Sequence, residues 1–146
     1  MKRYLIAAVL SLVIVSAFAN DNSKIGIFVV NNFKSDFPGA AGVQWTIKNE
    51  FAKADFTFDG KKTQAFYTAG GELFATGQNV TLKDIPAKAA NKIQKDYADY
   101  VVGEVVAYEQ VEQPIKYYVS VEDAQKKIIL EVSELGSVSV FKKSDK

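Results

Sequence analysis

Of the side chains that carry most protein chemistry, this sequence has no histidine and no cysteine. That removes the usual general base, the thiol nucleophile and any zinc site built on those two residues. Carboxylates and lysines remain for acid–base work. Glu109 with Glu112, and Glu122 with Asp123, are near neighbours, but both pairs fall at strand ends or turns, where solvated charge is the ordinary role and a glycosidase-type pair needs a cleft. Asp55 and Asp59 could offer oxygens to calcium, yet no dense acidic loop surrounds them. The glycines at 39, 42, 60, 70, 71 and 77 are dispersed at turn positions and do not gather into a phosphate-cradling loop ahead of a helix. No metal and no cofactor is implied. Asn79-Val80-Thr81 matches a glycosylation sequon, a pattern that is frequent by chance.

These residues sit in a chain of 146, of which 48% is apolar and 24% charged, enough for one domain with a real core. The first nineteen residues read as an export signal: Lys2 and Arg3, an apolar run from Tyr4 to Val15, then Ala17-Phe18-Ala19 as a cleavage site. The run is short for a membrane span, and the mature protein is expected to begin at Asn20. Losing Lys2 and Arg3 from the 18 basic residues leaves 16 lysines against 17 acids, so a full-length net charge of +1 becomes −1. Neither value gives the basic field of a nucleic-acid binder. The expected location is periplasmic or secreted, with no membrane insertion after signal removal.

The elements that must position the remaining side chains follow from periodicity. Ile27, Val30, Phe33 and Phe37 have helical spacing, and Phe37-Pro38-Gly39 should end that helix. Val43, Trp45 and Ile47 alternate with polar residues, as do Ala52, Ala54, Phe56 and Phe58, so two strands are predicted, joined to a third near 62–68 by the Asp59-Gly60 turn. Gly70-Gly71 leads to a fourth near 72–80. Asp84 is a candidate cap for a second helix whose apolar face is Ile85, Ala89, Ile93 and Tyr97. Strands near 100–110, 115–121, 126–132 and 138–141 complete the chain. The order helix-then-four-strands occurs twice, predicting repeats at about 25–80 and 84–142 within a domain of 20–146. The expected class is α+β: two tandem helix-plus-four-strand repeats forming an antiparallel sheet with helices packed on one face.

Aromatic residues are the enriched class. Trp45, Phe56, Phe58 and Phe66 are expected in the core beneath the helices. Alternation sets Tyr67 opposite Phe66 and Tyr118 opposite Tyr117, with Tyr108 a further candidate. If the Trp45 side faces inward, Thr46, Lys48, Lys53, Asp55, Thr57, Tyr67, Lys116 and Tyr118 line the open sheet face. That mixture of tyrosine, lysine and threonine suits a protein or peptide partner, and a solvated face with lysine stems lying along it is the alternative.

The run Phe33-x-x-x-Phe37-Pro38-Gly39-Ala40, then Val43-x-Trp45, Ala54-x-Phe56, Asp59-Gly60-Lys61, and Ile85-Pro86 before a helix reaching Tyr97, resembles the bacterial PepSY-like, β-lactamase-inhibitor-like family of exported proteins. The resemblance spans about Val30 to Gly136. It implies the fold of the β-lactamase inhibitor protein and an exported, non-enzymatic binding or inhibitory module. Without cysteine this chain has none of that inhibitor's disulfides, so the resemblance does not imply its binding loops. A carrier of a small apolar or peptidic ligand is the other expectation. The partner and the oligomeric state are left open.

Overall fold

The computed structural model describes residues 25–146, so the export signal expected over residues 1–19 lies outside the described residues. Two units divide the chain, the first running to Gln78 and the second from Asn79.

In the first unit, helix α1 (Ile27–Asp36) precedes strands β1 (Ala41–Ile47), β2 (Phe51–Phe58), β3 (Lys61–Thr68) and β4 (Leu73–Val80), the strands lying in sequence order. The helix ends as predicted, with the Phe37 N–H bonded to the Phe33 carbonyl ahead of Pro38. Its buried face differs from the one expected. Val29 and Phe33 are buried while Ile27 is 64% exposed. The packing rows run 25–29–33–37, because each helical side chain leans back over the turn before it. Asp59 and Gly60 both have positive φ, 50° and 76°, which makes the β2–β3 link a two-residue primed turn and fixes the register from Phe58↔Lys61 outward. Phe33 is the hub of the core, with its ring 5.2 Å from Trp45, 4.9 Å from Phe56 and 6.3 Å from Tyr67. Alanines 52, 54 and 65 keep the sheet beneath it low enough for those rings to fit.

In the second unit, helix α2 (Ala87–Asp96) precedes β5 (Val101–Gln110), β6 (Lys116–Glu122), β7 (Lys126–Ser133) and β8 (Val138–Asp145), again in sequence order. The predicted face holds: Ile85, Ala89 and Ile93 are buried and Tyr97 packs against them. This core is aliphatic, closed by Val105, Val119, Val121, Ile128, Leu130 and Val132 from the strands. Asp84 does not cap α2. Pro86 occupies the cap position, and the Asp84 carboxylate accepts from the Thr81 N–H and hydroxyl at 2.7 and 2.9 Å, closing the preceding turn. β8 also runs four residues further than predicted, because pairing with β7 carries it through the charged tail to Lys126↔Asp145.

The two units share local chemistry. Val29 and Val30 donate to Gly26, as Ala89 and Ala90 donate to Pro86. Ahead of each last strand the Gly71 N–H bonds the Thr68 carbonyl and the Glu72 N–H bonds its hydroxyl; Gly136, Ser133 and Ser137 make the same pair of bonds. Both glycines have positive φ and lie against the first turns of their own helix.

Candidate functional site

In the first unit the side of the sheet away from α1 is defined by the opposed pairs Thr46↔Lys53, Gln44↔Asp55, Lys53↔Phe66 and Asp55↔Gln64. Thr46, Lys53, Asp55 and Thr57 therefore share that helix-free side, with Lys48 just past the end of β1. Asp55 is held twice, by the Lys53 ammonium at 3.0 Å and by the Gln64 amide at 2.7 Å. Lys53 is only 8% exposed, so its stem is covered and its charge is neutralised locally. Asp55 is thus committed to this cluster, and Asp59 belongs to the hairpin turn.

Two aromatic assignments are corrected. Phe66 is not beneath α1 but on the helix-free side, with ring centroids 5.9 Å from Phe51 and 6.2 Å from Phe74. Tyr67 is not on the open side. It is fully buried in the helix-facing core, and its O–H donates to the Asp36 carboxylate at the end of α1, 2.7 Å away. Burial first, then that hydrogen bond and the carboxylate's charge, push the Tyr67 phenol well above its ordinary value of 10.0. The turn contains the signal that places it: counting out from Phe58↔Lys61 sets Tyr67 opposite Ala52 and Ala65 opposite Ala54, both on the Trp45 side.

In the second unit Tyr118 is on the helix-free side, opposed to Val106 and Glu131, but it is fully buried there and does not line an open surface as expected. Its O–H donates to Glu131 at 2.9 Å, while the Lys116 ammonium holds the other carboxylate oxygen at 3.1 Å. Burial, then the Glu131 hydrogen bond and charge, and lastly Tyr108, raise its phenol far above 10.0. Tyr108 is raised by burial alone. The Tyr118 ring meets Tyr108 at 6.2 Å and Phe141 at 5.3 Å, edge-on in both cases. Glu131, Phe141, Phe51 and Phe74 are members of these clusters that alternation alone does not single out; register does.

The Glu122–Asp123 pair has a structural role. Asp123 accepts backbone N–H bonds from Gln125 and Lys126, both at 2.7 Å, which lowers its carboxyl below the ordinary 3.8. Glu122 pairs with Lys146. Glu112 occupies the β5–β6 turn with φ 60°. No helix among the described residues is long and apolar enough to cross a membrane.

No protein-family model matches the chain, and no curated protein sequence does. Solved structures with the same fold do match. A BLIP-like protein of Bacteroides fragilis aligns over 82% of this chain and 85% of its own, with TM-score 0.68 and 24% identity. A Bacteroides eggerthii protein provisionally assigned to the periplasm gives 0.73 at 23% identity, over 82% and 88%. A DUF2874 family protein of Bacteroides uniformis gives 0.72 at 19%, over the same shares. What these structures share with the chain is the fold.

Proposed function

We propose that this chain is an exported, non-enzymatic binding or inhibitory module that presents the helix-free side of its strands to a protein partner. The observation that carries the reading is the partly exposed aromatic rim on that side, Phe51 and Phe74 against buried Phe66 in one unit and Phe141 against buried Tyr118 and Tyr108 in the other. Neither set of rings contributes to packing the helix of its own unit. Partly exposed aromatic side chains with polar groups held nearby, as Phe141 is beside the Tyr118–Glu131 bond, make typical interface anchors. The fold shared with a BLIP-like protein supports the inhibitory form of the reading, and the fold shared with the provisionally periplasmic protein supports export. Fold does not carry a target, so no particular enzyme is assigned.

The matching turns and helix starts support two tandem repeats, and the PepSY-like, β-lactamase-inhibitor-like resemblance fits that arrangement. Within the reading, residues 1–19 are removed and the mature chain starts at Asn20.

The test is capture from a periplasmic extract, followed by titration of each captured protein. Phe74→Ala and Phe141→Ala truncate the half-buried rings, and each should weaken a genuine partner by about tenfold or more. Lys34→Ala, on exposed α1, should not. Capture unaffected by both ring truncations counts against the reading. A thermal upshift with small apolar or peptidic compounds, and no protein captured, favours the carrier alternative.

A further inference from the structure

Strand β1 differs from β8 in how its free edge is guarded. Among the described residues β1 pairs with β2 alone, and β8 with β7 alone. An unpaired strand edge is a template for another strand, and proteins ordinarily blunt it with charge, proline or a bulge. β8 carries Lys142, Lys143 and Asp145. β1, with the sequence Ala-Gly-Val-Gln-Trp-Thr-Ile, has no charge and no proline, and its bulge lies at its start, between Ala41 and Gln44.

The hydrogen-bond pattern shows which backbone groups of β1 turn away from β2. The Lys48 N–H bonds the Phe51 carbonyl across the β1–β2 turn. In an antiparallel ladder bonded and non-bonded pairs alternate, so 48, 46 and 44 turn their backbone groups toward β2 while Ile47 and Trp45 turn theirs to the open edge. A second β1 laid antiparallel about a two-fold axis at Trp45 bonds those groups reciprocally. In that register Val43 stands across from Ile47 of the other copy, and Gln44 across from its Thr46. Apolar meets β-branched apolar on the helix side, amide meets hydroxyl on the other, and no like charges meet. Ile47, 42% exposed, would be covered.

We propose that two copies of this protein associate through β1 in this register. A second copy is favoured over an unrelated extended peptide because this register opposes Val43 to Ile47, Gln44 to Thr46 and Trp45 to itself with no charge on either strand. The regular part of the ladder runs from 44 to 47, and a two-fold interface must be self-complementary in this way. The proposal involves only the open edge of β1 and is independent of the binding role assigned above.

Sedimentation of the purified protein over a range of concentration should show the mass rising toward twice the monomer value. Gln44→Lys combined with Thr46→Lys brings lysines face to face twice across the axis and should hold the protein monomeric. Gln44→Lys combined with Thr46→Glu pairs opposite charges there and should restore the dimer. Because the chain has no cysteine, cross-linking gives a second measurement that does not depend on the lysine variant folding. The 44/46 position is a non-hydrogen-bonded pair, about 4.5 Å between Cα atoms and within disulfide reach. Mixed Gln44→Cys and Thr46→Cys proteins should form a disulfide-linked heterodimer under mild oxidation, and neither alone should. A monomer mass at every concentration overturns the proposal, as does a dimer that survives the paired lysines or fails to cross-link at this register.

Discussion

Asp36 is the last residue of α1, where the negative end of the helix dipole disfavours a carboxylate. The Tyr67 hydroxyl offsets this, reaching from the buried face of β3 to give Asp36 a charge-assisted hydrogen bond. One side chain thus does two things: its ring fills the space beside Phe33 and Trp45, and its oxygen ties the helix end to the sheet. The two contributions separate by substitution. Tyr67→Phe keeps the ring and returns the exposed Asp36 carboxylate to water, and should cost about 0.5–1.5 kcal/mol, the range for a bond whose acceptor is resolvated. Asp36→Asn keeps an acceptor and removes the unfavourable charge, so it should cost less. Urea unfolding of the two variants checks the order, and an equal or reversed loss would mean that the bond contributes little beyond ring packing.

At the scale of elements, each unit depends on a glycine at the turn before its last strand. Gly71 has φ +93° and a Cβ there would stand 3.1 Å from Phe28 and from the Asn32 amide; Gly136 has φ +83° with Pro86 and Lys88 at 3.3 and 3.4 Å. Gly60 has φ +76° and open space around it. Alanine at 60 therefore meets only the left-handed backbone penalty, about 1–2 kcal/mol, while at 136 and still more at 71 it must also push a helix away from its sheet. The expected order of thermal destabilisation is Gly60→Ala, then Gly136→Ala, then Gly71→Ala, read from the melting temperatures of the three proteins. These elements were largely legible in sequence because local signals agree: Pro38 ends α1, Asp59-Gly60 makes the hairpin, and the four-residue spacing of Ile85, Ala89 and Ile93 orients α2. What misled was β3, where Ala65-Phe66-Tyr67 is apolar on both sides and alternation has no contrast to read. Register, counted from the turn, places Tyr67 with Ala52 and corrects the face. Asp84 misled for another reason, since an aspartate ahead of a helix can close the preceding turn as readily as cap the helix. The clusters around Glu131 and Phe141 depend on pairing across strands and have no signature within any one strand.

For the whole molecule, the missing histidine has a consequence that can be measured directly. Histidine is the side chain whose unperturbed titration falls near neutrality, so nothing of that type links folding to pH there. The perturbed groups lie on either side. Asp123 has its folded value lowered below 3.8, so its contribution is fully present above 3.8 and is lost as pH falls through the folded value. Tyr67 and Tyr118 have folded values raised above 10.0, so theirs is fully present below 10.0 and is lost as pH climbs beyond it. The expected stability profile is a plateau between these two limbs, across about pH 5.5–8.5, with losses at both extremes. Urea midpoints measured across that range should coincide. Asp123→Asn should soften the acid limb and Tyr118→Phe the alkaline limb, each without altering the other. A midpoint that changes steadily across that range would overturn the expectation. The same reasoning extends to binding: a partner held on this side meets no histidine on this chain, so histidine-type pH dependence in that complex would have to come from the partner.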